Sequence, residues 1–325
     1  MKKVLLSEKL DETGPNLLKK HGYKVEIASG TDVENMKKSI KDAFAVVMRS
    51  SKLPAEVIDS ANKLKIIARN GTGINNIDVS EATKKKILVA KVDGANSNGV
   101  AEYVISMMLL LSRNFLKDSQ LLESNHLKLK EIGSLPNFTT INQLNGNELK
   151  SKTLGIIGVG HVGSIVARLA RAFGMNVLGY DPYLKQEIDV NLVHNINDML
   201  DQVDFLSINA PFTNETKNMI TLDQLKRMKK SSIIINSARG GIINEIDLAT
   251  ALNRGLIRAA AVDSFNPEPP LPDNPLFSAK NIILTSHMAG TSIEANKLMS
   301  RKVAEAIIDF DNGKLPEFTV NPEVF

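Results

Sequence analysis

The sequence contains no cysteine and no tryptophan, and aromatic residues make up only 5% of its 325 positions. Without thiols, disulfides, thiolate metal sites and cysteine nucleophiles are excluded, and no metal site is expected. Long apolar runs are missing as well. The chain opens Met-Lys-Lys-Val-Leu-Leu-Ser-Glu-Lys, with an apolar run of three residues, short of the roughly 7–15 of a secretory signal. The longest largely apolar stretch, Val104 to Leu111, has eight positions, against about 20 for a bilayer-crossing helix. A cytoplasmic protein with no membrane partner is expected. Nor does charge of one sign dominate: 40 basic residues face 36 acidic ones, for a net charge of +4. The longest basic run is Lys84-Lys85-Lys86, and no aromatic-plus-basic pattern of the kind that stacks single-stranded bases is present, so nucleic acid is not an expected partner.

What is present is a repeated β/α pattern. The length suggests about two domains, and 43% apolar content supports packed cores. Over the first hundred residues, Val4–Ser7, Lys24–Ala28, Ala45–Arg49, Lys65–Ala68 and Ile87–Ala90 read as strands, and Asp32–Lys41 and Pro54–Ala61 as helices. That alternation predicts a parallel sheet. From Val100 to Ser112 the chain is apolar almost all round, which suits a domain junction or a subunit interface. Residues 114 to 150 are polar, with one helix expected. Further units follow: strands at Phe205–Asn209, Ser232–Asn236, Ala259–Val262 and Ile282–Leu284, and helices at Leu222–Met228 and Asp247–Asn253. A tail helix, Glu294–Asp311, and an extended end are expected to return to the first domain.

Residues 154 to 181 carry the most informative pattern. A buried strand leads into glycines at Gly158, Gly160 and Gly163, then a helix, a second strand and Asp181. In this G-x-G-x-x-G spacing Gly158 permits a tight turn, Gly160 lets a pyrophosphate approach the backbone, and Gly163 lets helix and sheet pack closely. The helix N-terminus offers N–H groups and partial positive charge to the phosphates. Asp181 suits a ribose diol and would repel a 2′-phosphate, which favours NAD over NADP.

Three later strands each end in a polar cluster: 234 to 241 (Ile-Ile-Asn-Ser-Ala-Arg-Gly-Gly), 263 to 270 (Asp-Ser-Phe-Asn-Pro-Glu-Pro-Pro) and 284 to 290 (Leu-Thr-Ser-His-Met-Ala-Gly). Ligands of open α/β sheets bind beyond the carboxyl ends of the strands. Arg239, Glu268 and His287 are therefore expected to meet at the nicotinamide end of a dinucleotide. Hydride transfer to a ketone leaves an alkoxide that needs a proton, which His287 would donate. A neighbouring carboxylate, Glu268, would orient it. The planar fork of Arg239 would clamp a substrate carboxylate. The other histidines, 21, 126, 161 and 194, lack such a setting.

With Arg-Asn-Gly-Thr-Gly-Ile-Asn-Asn-Ile-Asp at 69 to 78 and Asn-Gly-Val-Ala-Glu at 98 to 102, these motifs resemble the D-2-hydroxyacid dehydrogenase family over essentially the full length. The resemblance implies two doubly wound parallel-sheet domains. A central Rossmann NAD domain, 100–290, would be inserted in a discontinuous flavodoxin-like substrate domain, 1–99 plus 291–325, with a cleft between them. It implies that Arg239, Glu268 and His287 are catalytic. It implies that His161 and Val162 present backbone donors to the pyrophosphate, that Asp263 meets the nicotinamide amide, that Ala238 and Arg239 line its ribose, and that Gly290 closes this site. Pro211 and Thr216 would border the adenine side. Asn209 stands where many members carry histidine, so that cofactor contact would be altered. The helix at 100–113 would act as hinge and homodimer contact.

Within the family, the chain is most similar to D-3-phosphoglycerate dehydrogenases. Arg49, Ser50, Arg69, Asn70, Gly71, Gly73 and Asn96 would then bind the substrate, the two arginines either holding a phosphate or carboxylate or bracing their loops. Hydroxypyruvate, glyoxylate and other 2-keto acids remain open as substrates, as does an NADH-sensing co-repressor role. Formate dehydrogenases carry glutamine where Glu268 stands. With the chain ending at Phe325, the regulatory domain of longer members is expected to be absent. The 114–150 stretch is longer than in typical members and lacks their tryptophan.

Overall fold

Short aliphatic runs become inner strands buried on both faces, as parallel sheets require, while the edge strands are partly exposed. In the computed structural model, which describes residues 1–124, 133–184 and 189–325, such strands build two parallel sheets, and the chain divides into two units. Met1–Asn96 with Thr291–Phe325 forms the first, Ser97–Gly290 the second.

The first unit holds β1 (Lys3–Leu6), β2 (Lys24–Ile27), β3 (Ala45–Met48), β4 (Ile66–Arg69) and β5 (Leu88–Lys91), in the order β2-β1-β3-β4-β5. This is the flavodoxin-like winding. Its helices are α1 (Thr13–Lys20), α2 (Val33–Ile40), α3 (Ala55–Asp59), α4 (Val79–Lys84) and, from the far end of the chain, α12 (Ile293–Asp311). Asp32, Asp78 and Ser292 cap α2, α4 and α12 by accepting from backbone N–H groups. Helix α1 leaves little sign in the residue pattern, because Gly14 and Pro15 interrupt it. Pro15 sits in the first turn, where a missing N–H costs nothing. Valines, leucines and isoleucines pack on both faces of the sheet. The tail returns along β5, where Lys91 N–H donates to Phe318 and Val320 N–H donates to Val89. Asn321, only 2% exposed, fastens it. Its Oδ1 accepts from Val89 N–H at 2.7 Å, and its Nδ2 donates to Ile87 O and Thr83 Oγ1 at 3.0 and 2.9 Å.

The second unit holds β6 (Thr153–Ile157), β7 (Asn176–Tyr180), β8 (Asn191–Leu192), β9 (Phe205–Ile208), β10 (Ile233–Asn236), β11 (Ala259–Val262) and β12 (Ile282–Leu284), in the order β12-β11-β10-β9-β6-β7-β8. The order reverses between β6 and β9, the switch point at which doubly wound sheets bind ligands. The helices are α5 (Ser97–Arg113), α6 (Phe115–Glu123), α7 (Leu135–Ile141), α8 (His161–Ala172), α9 (Asn197–Leu200), α10 (Leu222–Arg227) and α11 (Glu245–Asn253). α5 begins at Ser97 rather than at 100, and the unit begins with it. Ala101, Val104 and Met108 of α5 are fully buried, and the helix packs on α8 and β10. The polar 114–150 stretch holds two helices among its described residues, not one; His126 lies outside the described residues. Ser134 starts α7 by capping it, a signal that the low apolar content obscured. Among the described residues no single helix is long and apolar enough to cross a membrane, and no group of three or more His, Cys, Asp or Glu side chains could hold a metal ion.

Asn321→Ala strands the buried Val89 N–H of β5 and the Ile87 carbonyl just before it, each at about 1–3 kcal/mol. Urea unfolding should therefore show a loss of about 2–6 kcal/mol, the sum for two such groups.

Candidate active site

The glycine turn leaves β6 at the switch point. Gly158 has φ +84°, and a Cβ there would lie 2.7 Å from the amide nitrogen of Ala210. A Cβ on Gly163 would lie 2.1 Å from the Gly158 carbonyl oxygen, so α8 closes on the turn only with glycine there. Gly160 differs: nothing lies within 4 Å of where its Cβ would be. It caps α8 without a side chain, which leaves the first-turn N–H groups of His161 and Val162 for a ligand. An open cradle beside two tight glycines fits a pyrophosphate. Asp181 has a structural role invisible in sequence. Its Oδ2 accepts from Val159 N–H at 2.9 Å and its Oδ1 from Tyr183 N–H at 3.0 Å, tying the end of β7 to the turn. Each oxygen retains a lone pair for a ribose hydroxyl.

The neighbouring strand ends carry unpartnered polar atoms. Ile208 of β9 is in register with Asn236 of β10, so Asn209 and Ser237 leave the sheet side by side. Asn209 donates through Nδ2 to Ser207 Oγ at 3.0 Å. Its buried Oδ1, like Ser237 Oγ, has no hydrogen-bond partner among the described residues. Buried orphans of this kind call for a ligand or water, and both fit a cofactor running from Gly160 towards β10. Pro211 is exposed, while Thr216 turns its hydroxyl onto the Pro211 carbonyl at 2.7 Å and braces that loop.

Register also aligns the catalytic candidates. Asn236, Val262 and Leu284 are paired across β10, β11 and β12. The segments that begin at Ser237, Asp263 and Thr285 therefore leave one edge of the sheet together. His287 Nδ1 lies 2.7 Å from Glu268 Oε1, with the two side chains 46% and 41% exposed. Pairing through Nδ1 leaves Nε2 for a substrate. His287 has φ +55°, a left-handed backbone that costs a non-glycine residue about 1–3 kcal/mol. Asp263, fully buried, holds it there. The Asp263 carbonyl accepts from His287 N–H at 2.9 Å. Its carboxylate accepts from Thr285 Oγ1 at 2.5 Å, Met288 N–H at 2.8 Å and Ala289 N–H at 2.9 Å. The carboxylate expected at the nicotinamide amide is thus enclosed and committed to the His287 loop, which ends at Gly290.

The Glu268 loop is held by a residue that sequence reasoning passed over. Glu245, in the first turn of α11, accepts from Asn266 N–H at 2.7 Å and from Asn274 Nδ2 at 2.6 Å. Gly240 brings Arg239 to this loop, since a Cβ there would lie 2.0 Å from the carbonyl of Phe265. Arg239 donates one guanidinium hydrogen to the Ala238 carbonyl at 2.7 Å. Asn236 pins the turn by accepting from Ala238 N–H and donating to the Arg239 carbonyl.

The substrate-side candidates lie in the first unit. Arg69 donates to the carbonyls of Gly73 and Asn70, both at 2.8 Å, and to that of Met48 at 3.4 Å, so it braces its own loop. Gly71, at φ +146°, and Gly73 shape that loop, and Asn70 Oδ1 is buried without a partner among the described residues. Arg49 and Ser50 are exposed at the end of β3. The Ser50 and Ser51 amides donate to the Glu8 carboxylate at 2.9 and 3.0 Å, an internal anion that the sequence did not announce. Asn96 closes the first stretch of this unit.

Residues 105–289 match the family model described as D-isomer specific 2-hydroxyacid dehydrogenase, NAD binding domain. The chain is 40% identical to a D-3-phosphoglycerate dehydrogenase of Methanocaldococcus jannaschii, over 99% of this chain and 60% of that protein. The chain therefore spans about 60% of the length of that relative. A Staphylococcus epidermidis protein placed by name among the 2-hydroxyacid dehydrogenases is 36% identical over 99% of this chain and 100% of its own. In fold, the chain is similar to the TT0316 protein of Thermus thermophilus, with a TM-score of 0.88, 26% identity and coverage of 98% and 99% of the two chains.

The glycines separate packing from binding. Gly160→Ala should leave thermal stability within about 0.5 kcal/mol, as surface changes do, yet weaken NADH binding at least about tenfold by filling the cradle. Gly163→Ala should instead cost about 1–3 kcal/mol by overpacking. Thermal melts and NADH fluorescence titrations of the two variants check both outcomes.

Proposed function

Because the chain belongs to the D-isomer specific 2-hydroxyacid dehydrogenase family, we propose that it interconverts a D-2-hydroxy acid and its 2-keto acid with NAD, and that 3-phosphohydroxypyruvate is the keto acid it reduces. The observation that carries the reaction is the His287–Glu268 pair, 2.7 Å apart and half-exposed at the strand edge that also bears Arg239. A bound nicotinamide supplies the hydride to the keto carbon. His287 gives a proton from Nε2 to the carbonyl oxygen as that oxygen gains charge, and recovers it in the reverse direction. Glu268 fixes the ring through Nδ1 and faces the charge that the ring carries when protonated. Arg239 grips the substrate carboxylate with the guanidinium hydrogens not donated to Ala238. Asp181 receives the ribose hydroxyls and, being anionic, disfavours NADPH.

The phosphate rests on Arg49 and on the 40% identity to a protein named for phosphoglycerate. The Arg49 guanidinium has no partner among the described residues and is exposed at the end of β3, while Arg69 is held by carbonyls. A second reading, reduction of hydroxypyruvate or glyoxylate, is favoured by Glu8. Its carboxylate occupies the Ser50 and Ser51 amides, donors that a phosphate would otherwise use. A homodimer through residues 100–113 belongs to the same proposal. It would use the half-buried Leu109, Leu110 and Leu111 of α5, and sedimentation distinguishes one chain from two.

A panel of keto acids assayed with NADH and NADPH tests the reading, and NADH-dependent reduction of phosphohydroxypyruvate ahead of hydroxypyruvate and glyoxylate is the expected result. His287→Ala should lower turnover by about 10²- to 10⁴-fold and leave NADH affinity unchanged. Arg49→Ala should raise KM for phosphohydroxypyruvate about 10- to 100-fold, the loss of a charge-assisted hydrogen bond, without changing KM for hydroxypyruvate.

A further inference from the structure

The chain passes between its two units at Asn96–Ser97 and again at Gly290–Thr291. The first crossing opens α5, and the second ends the His287 loop. Within the second unit these two segments are joined by a row of hydrogen bonds. The Tyr103 hydroxyl, on α5, lies 2.8 Å from Thr285 Oγ1, and Thr285 Oγ1 lies 2.5 Å from Asp263 Oδ1. Asp263 in turn receives the N–H groups of Met288 and Ala289, just past His287, and its carbonyl receives that of His287 itself.

The direction of the row follows from the carboxylate, which has no proton to give. Thr285 donates to Asp263, so Tyr103 donates to Thr285. Burial, assisted by the nearby Asp263 charge and opposed by the Thr285 bond, pushes the Tyr103 phenol up to about 12. At neutral pH it is therefore a donor. The loop has reason to need this support, because His287 is in the left-handed region at φ +55°.

We propose that Tyr103 is a positioning residue which, through Thr285 and Asp263, fixes the loop that carries His287. The proposal rests on the reading of His287 as the proton donor. Removing the phenol oxygen leaves Thr285 with one partner fewer and lets its hydroxyl swing away from Asp263. The loop then loses one of its anchors on Asp263, and His287 shifts relative to a bound ketone.

The test compares Tyr103→Phe, Thr285→Val, Thr285→Ser and the Phe/Val double variant in the full chain. Tyr103→Phe and Thr285→Val should each lower kcat by roughly 3- to 10-fold, the equivalent of one neutral hydrogen bond, with KM for NADH unchanged. Thr285→Ser, which keeps the hydroxyl, should restore kcat. The double variant should be no slower than the worse single variant, since both break one row. The imidazole proton signals of His287, assigned by their loss in His287→Ala, should move in Tyr103→Phe. Wild-type kcat together with an unmoved His287 signal in Tyr103→Phe overturns the proposal. So does multiplication of the two single effects in the double variant. If the unaltered chain reduces no keto acid, the functional reading fails, while the His287 signal still decides the role of Tyr103.

Discussion

The buried carboxylate of Asp263 is the constraint on which the candidate site turns. A carboxylate removed from water is costly unless its lone pairs are filled, and here one hydroxyl and two backbone N–H groups fill them. Those donors all belong to the segment that carries His287, so satisfying the charge and shaping the loop are one event. The left-handed backbone at His287 persists because the donors before and after it are both anchored. A neutral residue at position 263 would relieve the desolvation cost and release the loop at the same time.

The sheet supplies the remaining order. Parallel pairing with β10, β11 and β12 in register brings three widely separated segments to one edge. Close approach then requires glycine where the backbones meet. Gly240 seats the Arg239 turn on Phe265, as Gly163 seats α8 on the turn after β6. Glu245 completes the arrangement from below by fastening the loop that presents Glu268. The charged side chains are thus the visible part of a frame made largely of main-chain contacts.

Much of this was legible in the sequence. The aliphatic runs mark the strands of both sheets except β8, a two-residue exposed edge strand without an apolar run, and the spacing of Gly158, Gly160 and Gly163 marks the turn. Polar clusters after strands mark Arg239, Glu268 and His287, and the fold brings the last two into contact. Tyr103, Thr285 and Glu245 were not legible, because each acts through partners distant along the chain and no local pattern records them. The part that Asp263 plays in shaping the His287 loop is not legible either, because its donors, Thr285, Met288 and Ala289, follow more than twenty residues later. Helix α1 escaped because Gly14 and Pro15 are breakers by composition but harmless in a first turn. For Arg69 the sequence leaves anion binding and loop bracing open, and its bonds to the carbonyls of Asn70 and Gly73 show the bracing.

The first unit is assembled from both ends of the polypeptide, with Asn321 fastening the late segment to β5. During synthesis its five strands emerge first, but the helix and edge segment that cover them emerge last. The intervening 97–290 segment is a unit of its own, so its sheet can be completed while the earlier strands still lack α12. On the ribosome, the middle of this chain can therefore mature before its beginning. The apolar face of β1 and β4 that α12 will cover is the surface most in need of protection meanwhile.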